Sequence, residues 1–168
     1  MIYTVSDGFP YYIELLGDAD YRDLLYSNAS IERFQKLSKE ESEFRFQNDK
    51  WSVKQIVGHM TDHERIMTYR LLTFSRKDNT LLPGYDQELF INNSRFHELD
   101  FSDILLDFIN VRNATRSFYK TLSREQLQLK GKAWTFEMTV EDFLKATLGH
   151  ELHHVKVLQE KYNLKFHS

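Results

Sequence analysis

The amino-acid sequence predicts an all-α protein, a four-helix bundle with a long crossover connection between the second and third helices. Long segments carry apolar residues at the helical spacing of three and four positions. Convincing alternating strand patterns are absent, and the only two prolines, Pro10 and Pro83, fall outside those segments. Four amphipathic helices without strands bury their apolar faces by packing on one another.

The first helix is predicted from about Asp20 to Lys39. Its apolar stripe consists of Leu24, Leu25, Ile31, Phe34 and Leu37. Ser27 and Asn28 lie in the middle of this stripe and could interrupt the helix.

The second helix is predicted from Ser52 to about Arg76. Ser52 and Gln55 have the spacing of a capping box, and Trp51 precedes them. The crossover connection follows. It consists of a loop at residues 79–85 and a ragged segment, Gln87 to Phe96, that can form a short helix.

The third helix is predicted from about Ser102 to Leu122. Ser123 then opens a short turn with a second capping box. The segment from Gly131 to Met138 is predicted as a loop. Thr139 caps the fourth helix, which reaches about Tyr162.

Length, charge and composition restrict the class of protein. The 168 residues suit a single domain, 1–168, and the net charge of −3 comes from mixed charges without a basic face for nucleic acid. There is no cysteine, which excludes disulfides and cysteine-based metal sites. No segment approaches the roughly 20 apolar residues of a membrane span. The N-terminus also lacks the features of a signal peptide, so we expect a cytoplasmic protein.

The histidines form the clearest functional pattern. Five of the seven lie on the second and fourth helices, while His97 and His167 lie in polar surroundings. His150 and His154 are four positions apart, so both rings leave the same face of the fourth helix. A metal ion would satisfy both nitrogens, because burying an unpaired polar group costs about 1–3 kcal/mol.

The same stretch, "HELHH", also matches the H-E-x-x-H signature of zinc peptidases. The extended form of that signature requires glycine and histidine where this chain has Val157 and Glu160. Too few residues follow for a distant third ligand, and no sheet is predicted to line a peptide cleft. We therefore reject the peptidase hypothesis.

A third ligand must then come from another helix, and His59 on the second helix is the best candidate. It shares the apolar stripe of that helix, as a residue directed into the bundle does. Three neutral imidazoles with open positions are typical of a catalytic metal site. Nitrogen ligands suit zinc, nickel or iron. For His63 and His153 a packing or surface role is the favoured interpretation.

The motifs taken together resemble the DinB-like superfamily. The resemblance rests on "KWS" at a helix start, "GHMTDHER", "YRLL", "LLPGYD", "VRNAT" and "GHELHHVKVLQEKY". It covers roughly Tyr11 to Tyr162.

The resemblance implies a four-helix bundle that binds one divalent metal ion through His59, His150 and His154, with homodimers common in the family. Characterised members include S-transferases that use low-molecular-weight thiols such as bacillithiol, and a mycothiol-dependent maleylpyruvate isomerase. We therefore expect a small-molecule substrate and a low-molecular-weight thiol as co-substrate. A metal-dependent hydrolase and a noncatalytic, stress-linked metal-binding protein are the alternatives.

Charged residues near the predicted ligands are further candidates. Asp62 lies one turn after His59 and could accept a hydrogen bond from a ligand or act as a general base. Arg65 and Arg70 could bind an anionic substrate. Glu64 could cap, pair with another helix or stabilise a dimer, and Glu151 could point to a neighbouring helix or to solvent. The sequence alone does not assign their roles. In the loop, Tyr85 and Asp86 either close over the site or belong to a simple turn.

Overall fold

A computed structural model describes residues 1–164, and His167 lies outside this range. Within it the chain is a four-helix bundle, as predicted. The helices and strands, in chain order, are a 3₁₀ turn Val5–Asp7, α1 Phe9–Glu14, α2 Tyr21–Tyr26, α3 Ala29–Gln35, α4 Lys39–Glu43, α5 Val53–Ser75, α6 Gln87–Asn93, α7 Phe101–Tyr119, α8 Arg124–Leu127, β1 Lys130–Ala133, β2 Phe136–Thr139 and α9 Val140–Glu160. The α2–α3 segment, α5, α7 and α9 form the bundle, with α5 packed against both α7 and α9.

The long helices begin where the sequence predicts. The Ser52 hydroxyl accepts from the Gln55 backbone N–H, and the Gln55 side chain accepts from the Ser52 backbone in return. Thr139 caps α9 by accepting from the backbone N–H of Asp142 at 3.0 Å. These caps satisfy backbone donors at the first turn and fix where each helix starts.

The predicted first helix is wrong as a continuous element. The structure divides it into α2 and α3, because Ser27 is extended (ψ 139°) and its hydroxyl accepts from the Ala29 backbone N–H. Ser38 then starts α4 with its own capping box. Side chains that hydrogen-bond to the nearby backbone compete with helical hydrogen bonding. Here Ser27 and Ser38 do so, and each lies at a break between two helices.

The predicted loop at Gly131–Met138 is also wrong, because it is an antiparallel hairpin of β1 and β2. Its two-residue turn places Trp134 in the left-handed region (φ 54°), without the glycine or asparagine that usually marks such a turn. β1 also pairs with Leu82, whose backbone N–H donates to the Lys132 carbonyl. The hairpin thereby anchors the crossover loop.

The N-terminal helix α1 was not predicted, and it packs along α9. Gly8 and Pro10 at its start are the sequence signal that could have indicated it. Gly149 allows the contact, since a Cβ atom there would lie 1.8 Å from the Tyr12 carbonyl oxygen.

The interior consists of two apolar clusters with a polar layer between them. One cluster contains Met67, Leu71 and Leu148, and the other contains Met60 and Val155. At and next to the boundary of the clusters, α5, α7 and α9 contribute buried polar side chains, namely His59, His63, Glu64, Arg112, Thr115 and His150. In residues 1–164, no helix has the length and apolar character needed to cross a membrane.

Candidate metal centre

Three histidine nitrogens converge inside the polar layer. The Nε2 atom of His150 lies 3.1 Å from that of His59 and 3.1 Å from that of His154. One nitrogen of each residue lies within 4.8 Å of the other two, so the three could hold a metal ion. The structure therefore brings together the three residues that the sequence singled out as ligands.

The spacing and protonation of these nitrogens fit a metal. Nitrogens bound to one tetrahedral zinc ion lie about 3.3 Å apart, given Zn–N distances of about 2.0–2.1 Å. Burial lowers the pKa of His59 to about 4, with a smaller contribution from His153. Burial also holds the pKa values of His150 and His154 well below the ordinary value. The rings are therefore neutral at pH 7 and have lone pairs available for a metal.

His63 lies beside this trio without joining it. Its ring stacks on His150 with centroids 3.8 Å apart, and its Nδ1 is hydrogen-bonded to the Tyr85 hydroxyl at 2.8 Å. Its Nε2 is buried and has no hydrogen-bond partner within residues 1–164. The crossover loop thus closes over the centre through Tyr85. This is the arrangement that the sequence allowed as the alternative to a simple turn.

Aromatic side chains surround the remaining faces of the trio. The Tyr12 ring meets His150 edge-on at 5.1 Å, and the Trp51 ring lies 5.0 Å from His59. His153 lies beside the trio without joining it: its ring is 5.1 Å from that of His154, and its Nδ1 is hydrogen-bonded to the Tyr11 hydroxyl at 3.1 Å. Tyr11 and Tyr12 were not among the predicted site residues, because helix α1 was not among the predicted elements.

A buried ion network joins the two ligand-bearing helices. Arg112 on α7 donates from Nε to Glu64 Oε1 at 2.9 Å and from Nη2 to Glu64 Oε2 at 2.9 Å, and Nη2 also contacts Glu151. Burial alone would lower the pKa of Arg112, but the two carboxylates raise it. Glu64 and Glu151 therefore have structural partners on another helix. One face of α7 carries Phe108, Arg112 and Thr115. This helical spacing is the sequence pattern that could have indicated a buried Arg112.

Asp62 lies at the edge of the layer. Its carboxylate is 3.5 Å from the Arg65 guanidinium, which also binds Asp107. Burial raises the pKa of Asp62, and Arg65 opposes this. In the part of the chain that the structure describes, Asp62 makes no hydrogen bond to the three histidines. Its role as an acceptor or base remains a prediction.

Two cavities reach the centre from different sides. The His150 cavity, of about 540 Å³, is lined by Gly8, Phe9, Tyr12, His63, Arg70, Gly84, Tyr85, Asp86, Gln87, Trp134, Phe136 and His150. The His154 cavity, of about 290 Å³, includes Trp51, His153, His154, Lys161 and Tyr162 in its walls. Gln87 lines both cavities, so they are neighbours across the start of α6.

Comparison with known proteins agrees with this architecture. Residues 27–158 match the sequence model of the DinB superfamily. The chain belongs to the DinB superfamily. No significant match is found among curated protein sequences.

A solved structure with a similar fold is that of YfiT from Bacillus subtilis. It is described as "a probable metal-dependent hydrolase with an unusual four-helix bundle topology". It aligns with a TM-score of 0.72 and 14% identity, covering 97% of this chain and 90% of YfiT. At this level of identity the similarity shows the fold alone, and it confirms the DinB-like four-helix bundle.

Proposed function

We propose that the protein binds one divalent metal ion through His59, His150 and His154 and transfers a small thiol to an electrophilic organic substrate. The observation that carries this proposal is the convergence of three neutral imidazoles, two of them buried and that of His154 half-buried, beside two cavities. Three histidine ligands leave coordination positions open, as catalytic metal sites do.

The protein's own residues would position the substrates at the metal centre and exclude water from it. A bound divalent metal would stabilise the thiolate form of a thiol that reaches it. The thiol must come from outside, because the chain has no cysteine. Tyr85 and Tyr12 cover the His150 side of the centre with aromatic surface, which limits access of water.

The two neighbouring cavities favour transfer between two substrates over hydrolysis of one. A thiol in one cavity and an electrophile in the other would meet at the histidine trio. Hydrolysis is the second candidate, since the structurally similar YfiT is described as a probable metal-dependent hydrolase. Both reactions use the same three histidines.

The ligand assignment is tested by metal binding. We expect wild-type protein, stripped of metal and then titrated with Zn²⁺ or Ni²⁺, to bind about one ion per chain. His59→Ala should weaken binding by about tenfold or more, because it removes one of three ligands. His97→Ala is the matched control, since His97 is exposed and does not belong to the trio. Equal affinity of His59→Ala and wild type would overturn the assignment.

The reaction is tested with the metal-loaded protein, an electrophilic aromatic halide and a panel of small thiols. We expect metal-dependent formation of the thioether with at least one thiol, and its loss in His59→Ala. Hydrolysis of ester or amide substrates without added thiol would instead favour the hydrolase. Metal binding with neither activity would favour a noncatalytic role.

A further inference from the structure

Arg70 is a buried cation whose charge has no carboxylate partner. Only 3% of its surface is exposed. Its Nη2 donates to the Pro83 carbonyl at 2.8 Å and its Nη1 contacts the Met67 sulfur at 3.3 Å. Within residues 1–164, no carboxylate lies at ion-pair distance from it. A guanidinium has about five N–H donors, so most of those of Arg70 remain available.

The other buried cations of the described chain are compensated. Arg112 binds Glu64 and Glu151, and the Lys54 ammonium lies 2.6 Å from Glu43 Oε1. A buried charge without a partner is costly, and burial lowers the pKa of Arg70 accordingly. Arg70 faces the Phe9 ring at 5.8 Å but lacks the carboxylate that the fold provides for the other two cations, which points to an anionic partner from outside the chain.

The location of Arg70 indicates where that partner would bind. Arg70 lines the His150 cavity, and five of the twelve residues that line this cavity are aromatic: Phe9, Tyr12, Tyr85, Trp134 and Phe136. The single carboxylate among the lining residues, Asp86, is exposed and accepts from the backbone N–H groups of Glu88 and Leu89. The cavity thus combines one available cation, apolar walls and a predicted metal ligand, His150.

We propose that the His150 cavity binds a small organic carboxylate, with its carboxylate on Arg70 and its apolar or aromatic body against the aromatic walls. Guanidinium groups pair with carboxylates through two parallel hydrogen bonds, which the available donors of Arg70 permit. This proposal rests on the proposed function, because it names the class of electrophilic substrate that the metal centre would receive.

The test is binding rather than turnover, so that its result is independent of the thiol reaction. Phenylacetate is titrated into metal-free and metal-loaded protein and followed by ligand-observed NMR, with phenylacetamide as the neutral analogue. We expect saturable phenylacetate binding in both forms, and binding of phenylacetamide about tenfold weaker. Arg70→Met should weaken phenylacetate binding by about tenfold and leave phenylacetamide unchanged, while Arg70→Lys should fall between.

Two further arms separate this proposal from its alternatives. Trp134→Ala, at an exposed turn that does not support the core, should weaken phenylacetate binding but not acetate binding. Phosphate should compete poorly, because it lacks an apolar body. Phenylacetate binding that requires metal and ignores Arg70→Met would show that the carboxylate binds the metal, and would overturn the proposal. Phosphate that competes as well as phenylacetate itself would overturn the claim that the aromatic walls bind the body of the ligand. Failure of the thiol assay with Arg70-dependent binding intact would count against the transferase alone.

Discussion

Arg112 illustrates, at the residue scale, how the bundle keeps a charged layer inside. Its guanidinium is 2% exposed and holds Glu64 on α5 and Glu151 on α9. Each carboxylate is the chain neighbour of a histidine, Glu64 of His63 and Glu151 of His150. The network therefore fixes the rotation of the two helices that carry the trio.

Removal of Arg112 should be far more costly than removal of an exposed arginine. In Arg112→Leu the buried Glu64 and the partly buried Glu151 lose their counter-charge, and we expect a loss of about 3–5 kcal/mol in the free energy of unfolding. The control is Arg65→Leu, which breaks half-exposed pairs with Asp62 and Asp107 and should cost about 1 kcal/mol or less. Urea denaturation measures both. Similar losses in the two variants would show that the network contributes little.

The residue scale also shows how far the sequence can predict this site. The pair His150 and His154 was predictable because helical spacing decides which side chains share a face. His59, on another helix, was singled out by its place on the apolar stripe and by the resemblance to the DinB-like superfamily. Arg70 could be named as a possible anion ligand, but its missing carboxylate partner could not be foreseen. That depends on which side chains of other elements approach it, which spacing along one helix does not determine.

At the scale of elements, prediction was most successful for the long helices. α5 and α9 have side-chain caps at their first turns and long buried faces at helical spacing, so local signals and tertiary packing agree. The α2–α3 segment does not form one continuous helix because the Ser27 side chain accepts a hydrogen bond from the nearby backbone. The hairpin could not be predicted from its turn, because the left-handed turn residue is Trp134 and not glycine or asparagine. Short elements depend on tertiary contacts, such as the pairing of β1 with Leu82, and these are not visible in a local pattern.

The contact of α1 with α9 gives a prediction about Gly149. Alanine normally stabilises a helix interior by about 1 kcal/mol relative to glycine. At position 149 its Cβ would lie 1.8 Å from the Tyr12 carbonyl oxygen, so α1 would have to move. We expect Gly149→Ala to lose about 1–3 kcal/mol in the free energy of unfolding despite the better helix former.

A matched glycine on α5 controls for this effect. A Cβ at Gly58 would meet the side-chain ring of Phe96 at 2.6 Å, and a ring can shift more easily than backbone. Gly58→Ala should therefore lose less stability than Gly149→Ala in the same denaturation experiment. Gly149→Ala should also weaken metal binding, because Tyr12 packs on His150. Gly149→Ala as stable as wild type would show that α1 adapts without cost.

At the scale of the whole molecule, the polar layer makes stability depend on pH. Two apolar clusters flank the histidines, so their imidazoles are held neutral in the folded protein. Burial lowers the pKa of His59 to about 4 and that of His63, His150 and His154 well below the ordinary value. In the unfolded chain these imidazoles have pKa values of about 6.5.

We therefore predict that the metal-free protein loses stability as the pH falls from 7 to 5. Below about pH 6.5 the unfolded chain binds protons that the folded protein does not, so the free energy of unfolding decreases with falling pH. His59 alone should contribute a loss on the order of 2 kcal/mol at pH 5, given its folded pKa of about 4. Urea denaturation at several pH values, with chelator present, measures the slope. His59→Gln should flatten the slope, and His97→Gln is the matched control at an exposed position. A wild-type stability that is constant between pH 7 and pH 5 would mean that the buried imidazoles accept protons in the folded state, and that the polar layer is open to water.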